Sequence, residues 1–284
     1  MLPRAARYRG RVSSARDLLA ALLLLIALVL GAAWLPAVWL QRHVIAQDGF
    51  LAITQPLADD RAAQQEISDA AVASVLDDDR IPGWISERLT PLLEEQAAKI
   101  TQTDAYGTVW DRTMVSLHES LFVPGAEELQ VDLLPLVDRM LSGAEEFLPV
   151  ELPRPDSASV TVATIPDIPL LTRAAALAPY APWLGLAAGA LVLLALLLAA
   201  HRRAILGLAG LAGILAGGVV CLLAARIQTL VPDLLDQAAF LGPIVRAFEE
   251  HFAADLMPQG VVMLGAGALV AAVGLVLVGL SRQP

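Results

Sequence analysis

A chain of 284 residues that is 57% hydrophobic, with a mean hydropathy of +0.64, is too apolar to fold as one soluble domain. Its formal charge of −10 offers nucleic acid no basic surface, and its lone cysteine, Cys221, leaves no intramolecular disulfide to staple a small fold.

Four apolar runs have the roughly 20 residues needed to cross about 30 Å of hydrocarbon: 18–40, 183–200, 204–225 and 260–280. Arg4, Arg7, Arg9, Arg11 and Arg16 precede the first run. His201, Arg202 and Arg203 form the 201–203 turn between the second and third, and Arg282 follows the fourth in 281–284. Basic residues mark the cytoplasmic side, so both termini are expected on the cytoplasmic side of the membrane, with 41–182 and 226–259 outside. The 41–182 block agrees in sign, carrying 23 Asp and Glu against 9 Lys and Arg, a net of −14.

In chain order, residues 1–17 are expected as a basic segment without structure of its own, drawn to anionic headgroups by about 1 kcal/mol per basic residue. Trp34, Pro36 and Trp39 close the first run as interfacial residues, which favours an uncleaved anchor over a signal peptide. Val44, Ile45, Phe50, Leu51 and Ile53 continue an apolar face to Thr54-Gln55-Pro56. A second helix starts at Leu57-Ala58-Asp59-Asp60, buries Ala63, Ile67, Ala70, Ala71, Ser74 and Val75, and ends at Asp77-Asp78-Asp79. A third follows the Ile81-Pro82-Gly83-Trp84 turn, with Leu89, Leu92, Leu93, Gln96 and Ile100 on its apolar face. A fourth covers 104–121, with a stripe of Val109, Trp110, Thr113, Met114, Leu117 and Leu121.

Alternation at 129–133 and 159–164 predicts a short ribbon, with a helix over 134–141 between its strands. Pro153, Pro155, Pro166 and Pro169 keep these pieces short. Beyond the third run, Leu234, Leu235, Ala238, Leu241, Val245, Phe248, Phe252 and Leu256 recur at helical spacing opposite Glu249, Glu250 and Asp255. An amphipathic helix over 233–256 is therefore expected, split or kinked at Gly242-Pro243, and packed against the exterior block or lying on the membrane. The expected fold is mainly α: four transmembrane helices with an extracytoplasmic helical domain carrying a small two-stranded β ribbon.

Several pieces in order carry a resemblance. They are Asp48-Gly49-Phe50 with Thr54-Gln55-Pro56-Leu57-Ala58-Asp59-Asp60; Tyr106, Val109-Trp110 and then His118; Val131-Asp132-Leu133 followed by Leu136 and Val137; and Arg202-Arg203-Ala204-Ile205-Leu206. Together they make the chain resemble a group of uncharacterised actinobacterial four-span integral membrane proteins. The resemblance implies an α-rich extracytoplasmic domain between spans one and two, in bacteria with arginine-rich proteins; lysine occurs here once, at Lys99. It brings no activity with it.

No phosphate loop, zinc-protease helix, nucleophile elbow or Cys/His metal spacing occurs, so no cofactor or metal is expected. Asp111 and His118 stand seven apart, as an acid–base pair on one helical face could. No nucleophile or metal partner accompanies them, and a hydrogen-bonded structural His118 is the stronger reading. Asp77-Asp78-Asp79 lacks the spacing and glycine of a calcium loop. No ionisable residue lies at mid-depth in the spans, as a transport path would require. Rows of small residues (Ala209, Gly213 and Gly217; Gly260, Gly267, Ala271 and Gly274) are expected to pack the spans together, with homo-oligomer formation as their second use.

These features point to a non-enzymatic membrane scaffold or accessory subunit that docks onto another cell-envelope protein or complex. A pore or transport component for a lipid or small solute, acting as an oligomer, is the alternative, and an envelope enzyme using His118 and Asp111 comes third. Trp84, Trp110, Asp111, His118, Phe248 and Phe252 are the candidate interaction or structural positions. Membrane lipids and an envelope protein are the expected partners.

Overall fold

The computed structural model describes residues 4–76, 83–101, 103–122, 128–145, 159–164, 176–230 and 241–280. In chain order its helices are α1 (Arg4–Leu40), α2 (Gln47–Thr54), α3 (Arg61–Leu76), α4 (Gly83–Ile100), α5 (Asp104–Leu121), α6 (Leu134–Glu145), α7 (Ala181–Leu198), α8 (Arg202–Leu230) and α9 (Leu241–Leu280). Strands β1 (Glu128–Asp132) and β2 (Ser159–Thr164) flank α6 in sequence. A π-helical turn, Gln41–Ile45, follows α1, and 3-10 turns Gln55–Asp59 and Ala178–Tyr180 precede α3 and α7. The chain divides into two bodies: Met1–Gln41, Leu177–Leu230 and Glu250–Pro284 form one, Arg42–Ala176 and Val231–Glu249 the other.

Four helices, α1, α7, α8 and α9, are long and apolar enough to cross a membrane. The first body holds the first three of these and α9 from Glu250 onward. There α1 packs on α7 and α8 around Ala20, Leu24, Ala195, Ala199 and Ile205. The Trp34 indole fills the space beside Gly185, where a Cβ would meet the ring at 2.5 Å. Helices α8 and α9 meet through glycine: Gly210 lies on the backbone of Ala271, Gly274 on that of Gly207, and a Cβ at Gly217 would stand 2.5 Å from the Leu264 nitrogen. Without side chains in the way the two backbones approach closely, which is how apolar helices gain packing energy where lipid offers equal hydrophobicity. The small-residue row is not quite the expected one. Gly210 faces α9, while Ala209 packs against the cluster shared by α1 and α7.

Polar contacts fix the same body at two places. The Asp17 carboxylate accepts from the backbone N–H of Ala200 (2.9 Å) and His201 (3.1 Å), and its Oδ2 lies 2.6 Å from His201 Nδ1. Arg16 Nε donates to the Leu198 carbonyl at 2.9 Å, so neighbouring residues of α1 hold the turn between α7 and α8. Elsewhere Trp39 Nε1 donates to Asp255 Oδ2 at 3.0 Å while its ring meets Phe252 edge-on at 4.9 Å.

Three expectations need correction. The basic stretch is helical from Arg4, because arginine is a good helix former and α1 already supplies the costly nucleus. Asp60 precedes α3 and caps it, its Oδ1 accepting from Ala62 N–H (2.9 Å) and Ala63 N–H (3.0 Å), a device worth about 1 kcal/mol. From Leu241 onward the expected amphipathic helix and the fourth span are one element, since α9 runs unbroken through 256–260; residues 233–240 lie outside the described residues. Gly242-Pro243 does not split it: proline in a first helical turn lacks only an N–H that has no helical partner there.

The second body closes over a core in which Leu93, Trp110, Met114, Leu117, Leu136 and Met140 are fully buried. Leu241 and Ile244 of α9 belong to that core, with Val245 and Phe248 packed against it. Fully burying such side chains stabilises by about 1.5–3 kcal/mol each, so the domain depends on a stretch that follows α8. Helix α3 contributes Ala63, Ser68, Ala71 and Val72; Ser68 and Val72 lie off the expected stripe. Strand β1 pairs antiparallel with β2, Val131 opposite Val160 and Asp132 opposite Ser159, with a bulge between Leu129 and Gln130. The Asp77-Asp78-Asp79 run and the Ile81-Pro82 dipeptide lie outside the described residues.

Candidate functional site

Helix α5 carries the aromatic and titratable side chains that sequence singled out. Tyr106, Val109, Trp110, Thr113, Met114, Leu117 and His118 recur three and four apart and are all buried. Trp110 Nε1 donates to the Thr54 carbonyl at 3.2 Å, and the Thr54 hydroxyl donates to the Phe50 carbonyl at 3.1 Å, joining α5 to the end of α2. Two turns further, His118 is 7% exposed. Its Nε2 donates to the Val44 carbonyl at 3.1 Å, and its ring sits 5.1 Å from Phe50 and 5.0 Å from Phe122. Phe50 also meets Phe248 of α9 at 5.2 Å.

Gly49 makes this assembly possible, because a Cβ there would run into the Arg42 carbonyl oxygen of the π turn. Gly49, Phe50, Thr54, Trp110 and His118, scattered through 70 residues of sequence, thus form one hydrogen-bonded aromatic knot. Within it His118 is a donor and a spacer between rings. Asp111 is exposed and stands two turns of α5, about 10 Å, before the buried His118, so the seven-residue spacing does not build an acid–base pair. Phe248 joins the knot; Phe252 belongs to the other body, beside Trp39. The Trp84 side chain lies outside the described residues.

Electrostatics single out Tyr106. Burial pushes its phenol up from the ordinary 10.0, since the phenolate would lose its hydration. Its hydroxyl, like the Thr113 Oγ1, has no hydrogen-bond partner among the described residues.

Sequence reasoning missed a second feature. A groove of about 440 Å³ runs between α3 and α4, lined by Arg61, Gln64, Gln65, Ser68, Asp69 and Val72 on one side and by Glu94, Ala97, Ala98 and Thr101 on the other. The signal was present as polar residues at helical spacing along α3, but a polar stripe ordinarily marks only a solvated face. Among the described residues no three His, Cys, Asp or Glu side chains gather as metal ligands would.

No family model, curated protein or solved structure matches this chain.

Proposed function

We propose that this chain is a non-enzymatic scaffold or accessory subunit of a bacterial plasma membrane, and that its second body is an extracytoplasmic domain that docks onto another cell-envelope protein or complex. One observation carries this reading: His118 and Trp110, the side chains best suited to chemistry, are committed to holding α5 against α2 and the π turn. Among the described residues, that body also exposes no large hydrophobic side chain. A polar, acidic surface over a closed core suits charge-steered docking on protein better than capture of an apolar ligand. Four helices long and apolar enough to cross a membrane, with arginines clustered before the first and after the second, support a multi-pass protein with cytoplasmic termini. The resemblance to actinobacterial four-span proteins supports the same architecture.

The test is recovery of the full-length protein from its native membrane, crosslinked before mild detergent extraction. One envelope protein in a fixed ratio is the expected result. A solitary monomer with no crosslinked neighbour would overturn the reading.

A further inference from the structure

We infer that the groove between α3 and α4 receives a basic, extended segment of the docking partner, with one arginine or lysine side chain lying along its floor. The inference rests on the docking reading above and names the chemistry of the partner.

Facing surfaces of packed helices are ordinarily apolar. Here α3 turns Arg61, Gln65 and Asp69 into the space at intervals of four, a straight ridge along one helix face. Asp69 on α3 and Glu94 on α4 place one carboxylate on each wall, and neither has an ion pair among the described residues. Glu95, the next residue along, is different: it points away and pairs with Lys99 at 2.8 Å. Arg61 stands eight residues from Asp69, about 12 Å along the helix, beyond the Debye length at physiological salt and too far to neutralise it.

The floor is small and apolar, made by the buried Val72 and Ala97, with the exposed Ala98 at its edge. A long basic side chain has the matching form, an apolar stem and a charged head. The stem lies on the alanines, the head reaches a carboxylate on either wall, and the Gln65 amide offers a donor and an acceptor to a peptide group. Among the described residues no aromatic ring lines the groove to anchor a large apolar side chain. Charge agrees at longer range, since the −14 of residues 41–182 attracts a basic segment and repels an acidic one.

The probe is a capped pentapeptide with one arginine among glycine and alanine, titrated against the full-length protein in nanodiscs of zwitterionic lipid and followed by saturation-transfer NMR. The glutamine version of the peptide is expected to bind roughly tenfold more weakly. Asp69→Asn with Glu94→Gln should abolish the difference, and Glu95→Gln should leave it. Ala98 is exposed, so Ala98→Trp fills the groove without entering the core; it should remove binding while the thermal melt stays put. Equal binding of the two peptides, or arginine-peptide binding that survives Ala98→Trp, overturns the inference. If the Ala98→Trp protein still recovers the wild-type partner from native membranes, the groove inference falls and the docking reading stands. If the wild-type chain recovers none, both fall.

Discussion

The Nε2 of His118 lies 3.1 Å from the carbonyl oxygen of Val44, across 74 residues of sequence. That bond ties the π turn to α5, and the ring lies tilted between Phe50 and Phe122. His118→Ala should cost about 1–3 kcal/mol, through an unpaired buried carbonyl and a small cavity. Chemical denaturation of the purified protein would read the loss. A variant that folds as stably as wild type would show the bond to be idle.

Two glycines should respond in opposite directions. Gly49→Ala drives a methyl group into the Arg42 carbonyl and should destabilise by about 1–3 kcal/mol. Gly107, in α5, has nothing within 4 Å of its would-be Cβ, and Gly107→Ala should stabilise by about 0.5–1 kcal/mol by removing unfolded-state freedom. Parallel thermal melts of the two variants make the comparison.

The interface between α8 and α9 gives a similar pair. A Cβ at Gly267 would stand 2.5 Å from the Ile214 nitrogen and 2.7 Å from the Gly213 carbonyl carbon, so Gly267→Ala must push two backbones apart. Gly265, two residues earlier, faces open space. The first substitution should lower the detergent-solubilised melting temperature, at a cost of about 1–3 kcal/mol; the second should not.

Tyr106 sets an alkaline limit. Its folded pKa is raised by burial above the ordinary 10.0, so below that value both states keep the proton and the group adds no pH dependence. Above it the unfolded chain ionises while the folded one resists, and stability falls as pH rises. Tyr106→Phe should flatten that fall. Because the hydroxyl has no partner among the described residues, the substitution should also raise neutral-pH stability by about 1 kcal/mol. Denaturation curves at neutral and alkaline pH would show both effects.

Much of this was legible because it follows from local pattern. Leucine runs of sufficient length mark helices α1, α7, α8 and the later part of α9, and the spacing of Trp110, Met114 and Leu117 fixes the buried face of α5. What sequence hid depends on meetings between distant segments. Asp17 reads as one more polar residue before an apolar run, yet it holds a turn more than 180 residues later. Nothing near His118 announces that Val44 is its acceptor. Gly49 looked like part of a short signature, and only the close approach of Arg42 gives its missing side chain a reason. Along α3 the expected stripe includes Ala63 and Ala71, which are buried, but Ser68 and Val72 are buried too, and nothing within α3 itself says so.

Leu241, Ile244 and Phe248 have a consequence for how the chain is made. A ribosome delivers Phe50, Trp110 and Leu136 first, then two long apolar helices, and only afterwards the residues that finish the same core. Until then the nascent domain keeps an apolar face uncovered, the condition under which chaperones bind and proteases cut. A message truncated anywhere before residue 241 yields a product that cannot close, so the domain's own stability acts as a check that translation reached α9.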